Sequence, residues 1–422
     1  VTSWVLRGGP VVAVLSLLAY VAAYVHWPTL SMQVDLMVYR FAAERLMGGL
    51  DLYSVGLTGK PGELLFIYPP FAALCAVPLA LLDSATVHVL WLLGTVALLT
   101  YVVVRMLKAM GMPTGGGLVS LTALMVGVIA WLEPLRLTAE LGQINLVLLA
   151  LVVVDLSPQA SRGRYLQARH NKWAGIGIGL AAGIKLTPAL FIVYLLVTRR
   201  IRAAVVATAV FMTTVGVGFA FAPNDSVSYW LHGRFDDVNR ISHDPLANTS
   251  VGGLVLRLHG SSSLANVIAV AVAVVAVVTA AMAYRRGQSV LAIAIVGMAS
   301  AAASPFSWSH HWVWFAPLVV HLGYRGLVVG SRWAVAAMWS VCALIGGWFV
   351  FTAGDTPQAG ILSLRPGGIW TEILPGAYVL VLAVVLVSTA FWLRRLRDDD
   401  VRLPRPSTED LEHLEGVHTG QH

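Results

Sequence analysis

The chain has 422 residues, of which 58% are hydrophobic and 12% charged, with a formal net charge of +7 and a mean hydropathy of +0.77. A soluble domain carries about twice that charged fraction, and apolar runs suited to a hydrocarbon core of about 30 Å recur from end to end, so a soluble globular protein is excluded. The runs are continuous rather than alternating, which excludes a β-barrel. The two cysteines, Cys75 and Cys342, both lie in apolar segments and exclude a disulfide framework. The positive charge is read as membrane orientation and not as nucleic-acid binding.

Residues 11–30 form the first predicted span. They follow Arg7 as a signal-peptide core would, but no small-x-small cleavage site follows them and similar runs come after. Next stands "HWPTLSMQVDLMVYRFAAERLMGG" (26–49). Here Leu36, Tyr39, Ala43, Leu46 and Met47 recur at helical spacing, and Arg40 and Glu44 stand four apart on another face. This predicts a short amphipathic helix on the membrane surface with Asp35 at its N-terminus. Two compatible readings of Asp35 are open. It is a helix N-cap, or a general base whose pKa is raised by apolar surroundings.

Residues 64–82 are apolar but interrupted by Pro69, Pro70 and Pro78, and are read as partly inserted. Further spans are expected at 84–104, 117–132, 142–156, 203–222, 264–284, 289–303, 311–323, 333–351 and 375–393. Two half-length segments, 174–186 and 187–198, are expected to enter the membrane and return to the same side. The fold class is thus an all-α polytopic membrane protein with about 10–13 transmembrane or re-entrant helices. Residues 1–397 form one domain, and the polar, acidic stretch 398–422 is expected to be a disordered cytoplasmic tail.

Basic clusters mark the cytoplasmic side. They are Arg7; Arg105 and Lys108; Arg162, Arg164, Arg169 and Lys172; Arg199, Arg200 and Arg202; Arg285 and Arg286; Arg325 and Arg332; Arg394, Arg395 and Arg397. One arrangement puts all of them inside, with both termini. Segments 31–63, 133–141, 223–262, 304–310 and 354–374 are then external. They hold twelve of the 21 acids but eight of the 28 Lys and Arg, and they are rich in His, Tyr and Trp, which fits a working surface better than an anchor.

Several polar residues have both a bland and a functional reading. His310 and His311 in "SWSHHWVW" belong to an aromatic belt with Trp308, Trp312 and Trp314, or contact a ligand's phosphate or sugar. Adjacent positions on a helix point about 100° apart, so at least one of the two faces the cavity. Lys185 in "AGIKLTP" snorkels to an interface or pairs with a lipid phosphate at the apex of the re-entrant pair. Gln143 and Asn145 in "GQINLVLL" bond neighbouring helices or read sugar hydroxyls. Tyr68 in "IYPPF" anchors at the interface or stacks on a sugar. Glu133 and Glu140 flank Arg136, and surface pairing is the plain reading. The loop 230–250 is a candidate headgroup site. Its adjacent Asp236 and Asp237 suggest a metal motif, which is discounted because no nucleotide-binding sheet accompanies them.

The blocks "VDLMVYR", "GGLDLY", "FIYPPFAALCAVPLALL", "ELGQINLVLLALVVVD" (140–155), "GIGIGLAAGIKLTPALFIVYLLVTRR" (175–200), "NTSVGGLVLRL" (248–258) and "SPFSWSHHWVWFAPL" (304–318) resemble, in order, the GT-C superfamily and within it glycosyltransferase family eighty-seven. The resemblance covers residues 11 to about 393. The second-last block carries Thr249 where glutamine is commoner. The resemblance implies an inverting α-1,2-mannosyltransferase of the plasma membrane with its active site on the outer face. It implies polyprenyl-phosphate-mannose as donor, a phosphatidylinositol mannoside as acceptor, and neither metal nor other cofactor. By position in the family Asp35 is the base. His310, His311 and Lys185 are expected at the donor phosphate or sugar, and Tyr39, Arg40, Tyr68, Gln143, Asn145 and Asn248 at the acceptor or sugars. Branching of lipomannan by a related enzyme is the nearest alternative. A polyprenyl-lipid transporter is another class, but no internal repeat is present and the polar residues gather on one face instead of the midplane.

Overall fold

The computed structural model describes residues 3–28, 32–59, 64–157, 173–236, 245–347, 350–353, 356–361, 364 and 367–395. The expected tail, the basic cluster from Arg162 to Lys172, and Asp237 with most of the loop after it lie outside the described residues. In chain order the helices are α1 (Ser3–His26), α2 (Val34–Met47), α3 (Pro70–Cys75), α4 (Val77–Ala80), α5 (Ser84–Ala109), α6 (Gly116–Ile129), α7 (Glu133–Leu141), α8 (Asn145–Leu156), α9 (Ile176–Ile184), α10 (Leu190–Val197), α11 (Ile201–Phe221), α12 (Pro223–Ser226), α13 (Val251–Arg257), α14 (Ser262–Arg285), α15 (Ser289–Ala302), α16 (Phe315–Leu327), α17 (Arg332–Ile345), α18 (Ile369–Ile373) and α19 (Ala377–Arg395).

The protein is a predominantly α-helical polytopic membrane protein. Five helical stretches are long and apolar enough to cross a bilayer: Arg7–His26, Ser84–Ala109, Ile201–Phe221, Ser262–Arg285 and Ile369–Arg395. Each remaining predicted span holds a shorter apolar helix. Two boundaries differ from expectation. The span placed at 333–351 stops at Ile345 and is followed by a hairpin of β1 (Val350–Ala353) and β2 (Thr356–Ala359), paired antiparallel with Val350 opposite Ala359. The span placed at 311–323 begins at Phe315, because residues 309–312 form a 3₁₀ turn. The proline-broken stretch 64–82 resolves into α3 and α4, with Pro70 in the first turn of α3, where its missing N–H costs nothing.

The half-length pair α9–α10 enters and returns. Gly175, Gly179 and Gly183 pack against α11 so closely that an added Cβ would lie 2.2 Å from Ala203 O, 2.5 Å from Ala207 O and 2.1 Å from Thr214 Oγ1. Both sets of numbers rise together, so α9 runs parallel to α11. The chain must then come back along α10 to begin α11 at Ile201. Helix α8 runs the other way beside α9. Asp155 at its C-terminal end accepts hydrogen bonds from the N–H of Gly175 and of Ile178, both at 2.9 Å, and so caps α9 from a neighbouring helix. At the opposite end of α8, Asn145 Oδ1 accepts from Lys185 Nζ at 3.0 Å.

These registers define two ends of the bundle. One end carries Asn145, Lys185 and the start of α2. The other carries Asp155 and the α10–α11 junction. Helix α1 runs parallel to α6, with Ser16 donating to Gly127 O at 3.0 Å. Helix α5 begins beside α2, where Gln33 Nε2 donates to His88 O at 3.4 Å, and α19 begins beside α7, where Tyr378 meets Glu133. It follows that Arg7, Arg105, Lys108, Arg199, Arg200, Arg202, Arg285, Arg286, Arg325, Arg332, Arg394 and Arg395 all fall at the end opposite Lys185. Arg200 lies over the Tyr284 ring and Arg325 over that of Trp392, which ties the clusters together across helices.

Candidate active site

The site assembles at the end of the bundle that lacks the basic clusters. Helix α2 brings Asp35. The residue is not the N-cap: Gln33 occupies that position, in a left-handed conformation and without a side-chain cap, and Asp35 sits inside the first turn. There the helix dipole favours its negative charge. Gln143, in the elbow between α7 and α8, donates from Nε2 to Asp35 Oδ2 at 2.6 Å. The Gln143 amide is oriented by its other end, since Oε1 accepts from the Tyr39 hydroxyl at 2.9 Å. The Tyr68 hydroxyl stands 3.1 Å from that of Tyr39 and 3.3 Å from Gln143 Oε1. Asp35 is half-buried, and burial raises its pKa above the usual carboxylate range, against the opposing pull of the Gln143 hydrogen bond and the Lys185 charge.

Lys185 arrives from the apex of the re-entrant pair, where the helix breaks before Pro188. Its ammonium lies 5.3 Å from the centre of the Tyr68 ring and donates to Asn145. Asn145 in turn donates from Nδ2 to the His310 carbonyl at 2.9 Å, so one amide joins the lysine to the histidine segment. The two imidazoles are buried and stand edge to face, with ring centres 4.8 Å apart. Trp308 stacks on His310 at 5.6 Å. Burial lowers the pKa of both histidines and so favours their neutral forms, and the nearby Lys185 charge acts in the same direction. Neither Nε2 has a hydrogen-bond partner among the described residues. A small cavity of ≈ 10 Å³ between Asn145, Lys185, Thr187, Ser300 and His311 has room for about one water.

A second set of contacts holds the histidine segment in place. Asn248 Oδ1 accepts from the N–H of Ser250 and of Ser307, both at 3.1 Å, and its Nδ2 donates to Pro305 O at 3.1 Å. Thr249 donates from both its N–H and its hydroxyl to Ser307 O at 2.7 Å and accepts from Trp312 Nε1 at 3.0 Å. Ser307 Oγ lies 3.3 Å from His311 Nδ1.

The structure therefore brings together Asp35, Tyr39, Tyr68, Gln143, Asn145, Lys185, His310 and His311 of the expected residues. Two others stand apart from that chain of contacts. Arg40 lies 3.3 Å from Glu44 Oε1 on the far side of α2, and Asn248 is engaged with backbone. Sequence reasoning missed the framing roles of Ser307, Thr249 and Trp308, whose residue types carry no distinctive signal. It also placed Glu133, Arg136 and Glu140 at the surface. All three are buried, at 3%, 6% and 7% exposure. Arg136 Nη1 pairs with Glu140 Oε1 at 2.7 Å, and Glu133 Oε2 accepts from Tyr378 at 2.8 Å. The expectation failed because α19 and the residue 346–347 backbone cover α7, which its own sequence does not reveal. Among the described residues no group of three His, Cys, Asp or Glu could hold a metal.

One carboxyl, one amine and two buried imidazoles at one end of the bundle can take a proton and hold an anion. Comparison with known proteins gives this arrangement its family. The model of Glycosyltransferase family 87 matches residues 66–305. The polyprenol-phosphate-mannose-dependent alpha-(1-2)-phosphatidylinositol pentamannoside mannosyltransferase of Mycolicibacterium smegmatis is 33% identical over 407 residues, covering 92% of this chain and 91% of its own length. The protein of the same name from Mycobacterium tuberculosis is 31% identical, over 90% of this chain and 86% of its own. A polyprenol-phosphate-mannose-dependent alpha-(1-2)-phosphatidylinositol mannoside mannosyltransferase of Mycobacterium tuberculosis is 33% identical over 74% of this chain and 76% of its own. No solved structure matches the chain. With its family model covering more than half the sequence and relatives aligned over nearly all of it, the chain belongs to glycosyltransferase family 87 and is a membrane-embedded glycosyltransferase.

Proposed function

We propose that the enzyme transfers mannose from polyprenyl-phosphate-mannose to a phosphatidylinositol mannoside in α-1,2 linkage, at the outer face of the plasma membrane and with inversion at the anomeric carbon. The observation that carries this reading is the fixed pair of a carboxyl and an amine, Asp35 on its Gln143 amide and Lys185 on its Asn145 amide, at the end of the bundle away from every described basic cluster.

In one displacement the acceptor hydroxyl attacks C1 of the donor mannose on the face opposite the phosphate. The new C1–O bond forms as the C1–O bond to phosphate breaks. Asp35 takes the hydroxyl proton, and polyprenyl phosphate departs with the bonding pair. A β-linked donor thus gives an α-mannoside. A raised carboxylate pKa suits a general base, because basicity rises with it. Lys185 and one N–H from His310 or His311 stabilise the charge that grows on the phosphate oxygens. They act in a site shielded from water, where such contacts are stronger than in bulk. Tyr39, Tyr68, Gln143 and Asn145 line the space between base and ammonium and are placed to meet sugar hydroxyls. The outward orientation is supported by charge, since positive clusters favour the cytoplasmic side. A lipid-borne donor then presents its reacting bond at headgroup depth, where Asp35 lies.

Purified protein incubated with polyprenyl-phosphate-mannose and a phosphatidylinositol mannoside tests the reading. An α-linked product formed without any partner protein is expected. Turnover of a nucleotide sugar, with none of the lipid donor, would replace it.

A further inference from the structure

Helix α7 carries a buried ion pair for which the transfer step itself has no use. A buried pair is weak evidence of stability, because apolar residues of similar volume often serve as well, so its placement invites a different account. The helix lies across the end of the bundle and meets α8 at an elbow bent by 119°. It touches both halves of the site. On one side the carbonyl of Glu140 accepts from Gln33 N–H at 2.9 Å, two residues before Asp35. Gly142, which follows with φ +70, is pressed against α2 so tightly that a Cβ there would lie 2.6 Å from that of Leu36. Gln143 then binds Asp35 directly. On the other side Thr138 Oγ1 lies 3.5 Å from the His310 carbonyl, which Asn145 also holds. The Arg136–Glu140 pair spans the turn of α7 from which these contacts leave. Around it stand Glu133, Tyr20 and Tyr24, and Arg136 Nε has no hydrogen-bond partner among the described residues.

We infer that Arg136 and Glu140 are positioning residues for the transfer: by locking the last turn of α7 they set the Glu140 carbonyl on α2 and the Gln143 amide on Asp35, and so fix the base relative to the histidine segment held by the same helix. The inference rests on Asp35 being the base. Neither residue touches substrate, so their loss should leave the donor and acceptor KM unchanged and act on kcat.

Glu140→Gln keeps the side-chain shape and removes the charge. A fall of kcat by about ten- to a hundredfold is expected, the scale of a misplacement near 1 Å. The acidic limb of the kcat–pH profile should move to higher pH, because the Gln143 hydrogen bond favours ionised Asp35 and would be weakened. The double variant Arg136→Met/Glu140→Leu, which replaces the pair by apolar volume, should melt at the wild-type temperature and show the same two changes, so stability and positioning separate. Wild-type kcat in the double variant, or a lowered kcat with an unmoved acidic limb, would overturn the inference. Asp35→Glu serves as control. If it too leaves the limb unmoved, the base assignment falls and takes this inference with it; if only the α7 variants leave it unmoved, the base stands and the positioning role does not.

Discussion

At the scale of single residues the reaction depends on how Asp35 is held. Burial raises its pKa, and Gln143 and Lys185 pull it back. The carboxylate is a base only when ionised, so rate should rise with pH through the Asp35 pKa. Removing Gln143 by Gln143→Met should shift that rise to higher pH and lower kcat below it, which a kcat–pH profile reads out; an unshifted profile would separate Gln143 from the base. Asp35→Asn keeps the helix start, since Asp35 caps nothing, and should lose about 10²–10⁴ in rate while the protein still folds. His310→Ala, His311→Ala and Lys185→Ala are expected to weaken response to donor more than to acceptor in paired titrations. Equal effects on both lipids in all three would remove the phosphate role. Most of these residues were legible in the sequence for one reason: a Lys, Gln or Asn inside an apolar run is costly and so stands out. Glu133, Arg136 and Glu140 were not, because charges at spacing three and four look alike whether water or another helix covers them.

At the scale of elements the site is held by loops and elbows. Asn248 shows this: its side chain satisfies two N–H groups and one carbonyl that tie residues 305–307 to the start of α13. Asn248→Ala leaves those groups unpaired, each costing about 1–3 kcal/mol when buried. A lower melting temperature and a weaker donor response are expected together, because the histidine segment hangs on the same contacts. An unchanged melting temperature would mean that the loop is held elsewhere. The re-entrant pair was readable from two cytoplasm-type charge clusters flanking one apolar stretch, and the α9–α11 register agrees with it. The hairpin after Ile345 was not: Gly346 and Gly347 mark where the helix stops, but apolar residues resume directly after them and look like more of the same span. The N-cap reading of Asp35 failed because the left-handed Gln33 begins the helix one position before Val34, a turn that side-chain preference does not announce.

At the scale of the whole molecule, charge and chemistry separate along the bundle axis. Positive clusters gather at one end, and Asp35, Lys185 and the histidines at the other, with a bilayer core of about 30 Å between them. Groups on opposite faces cannot share a reaction centre, so the proposed transfer from a lipid-borne donor requires the reacting end to face outward. Single cysteines in a background lacking Cys75 and Cys342 test it most directly in intact cells. Ser54→Cys lies on the exposed loop after α2 and Thr114→Cys on the exposed loop between α5 and α6. An impermeant thiol reagent should label position 54 from outside, and position 114 only after the membrane is opened. Labelling of 114 from outside with 54 protected would turn the site toward the cytoplasm and rule out transfer at the outer face.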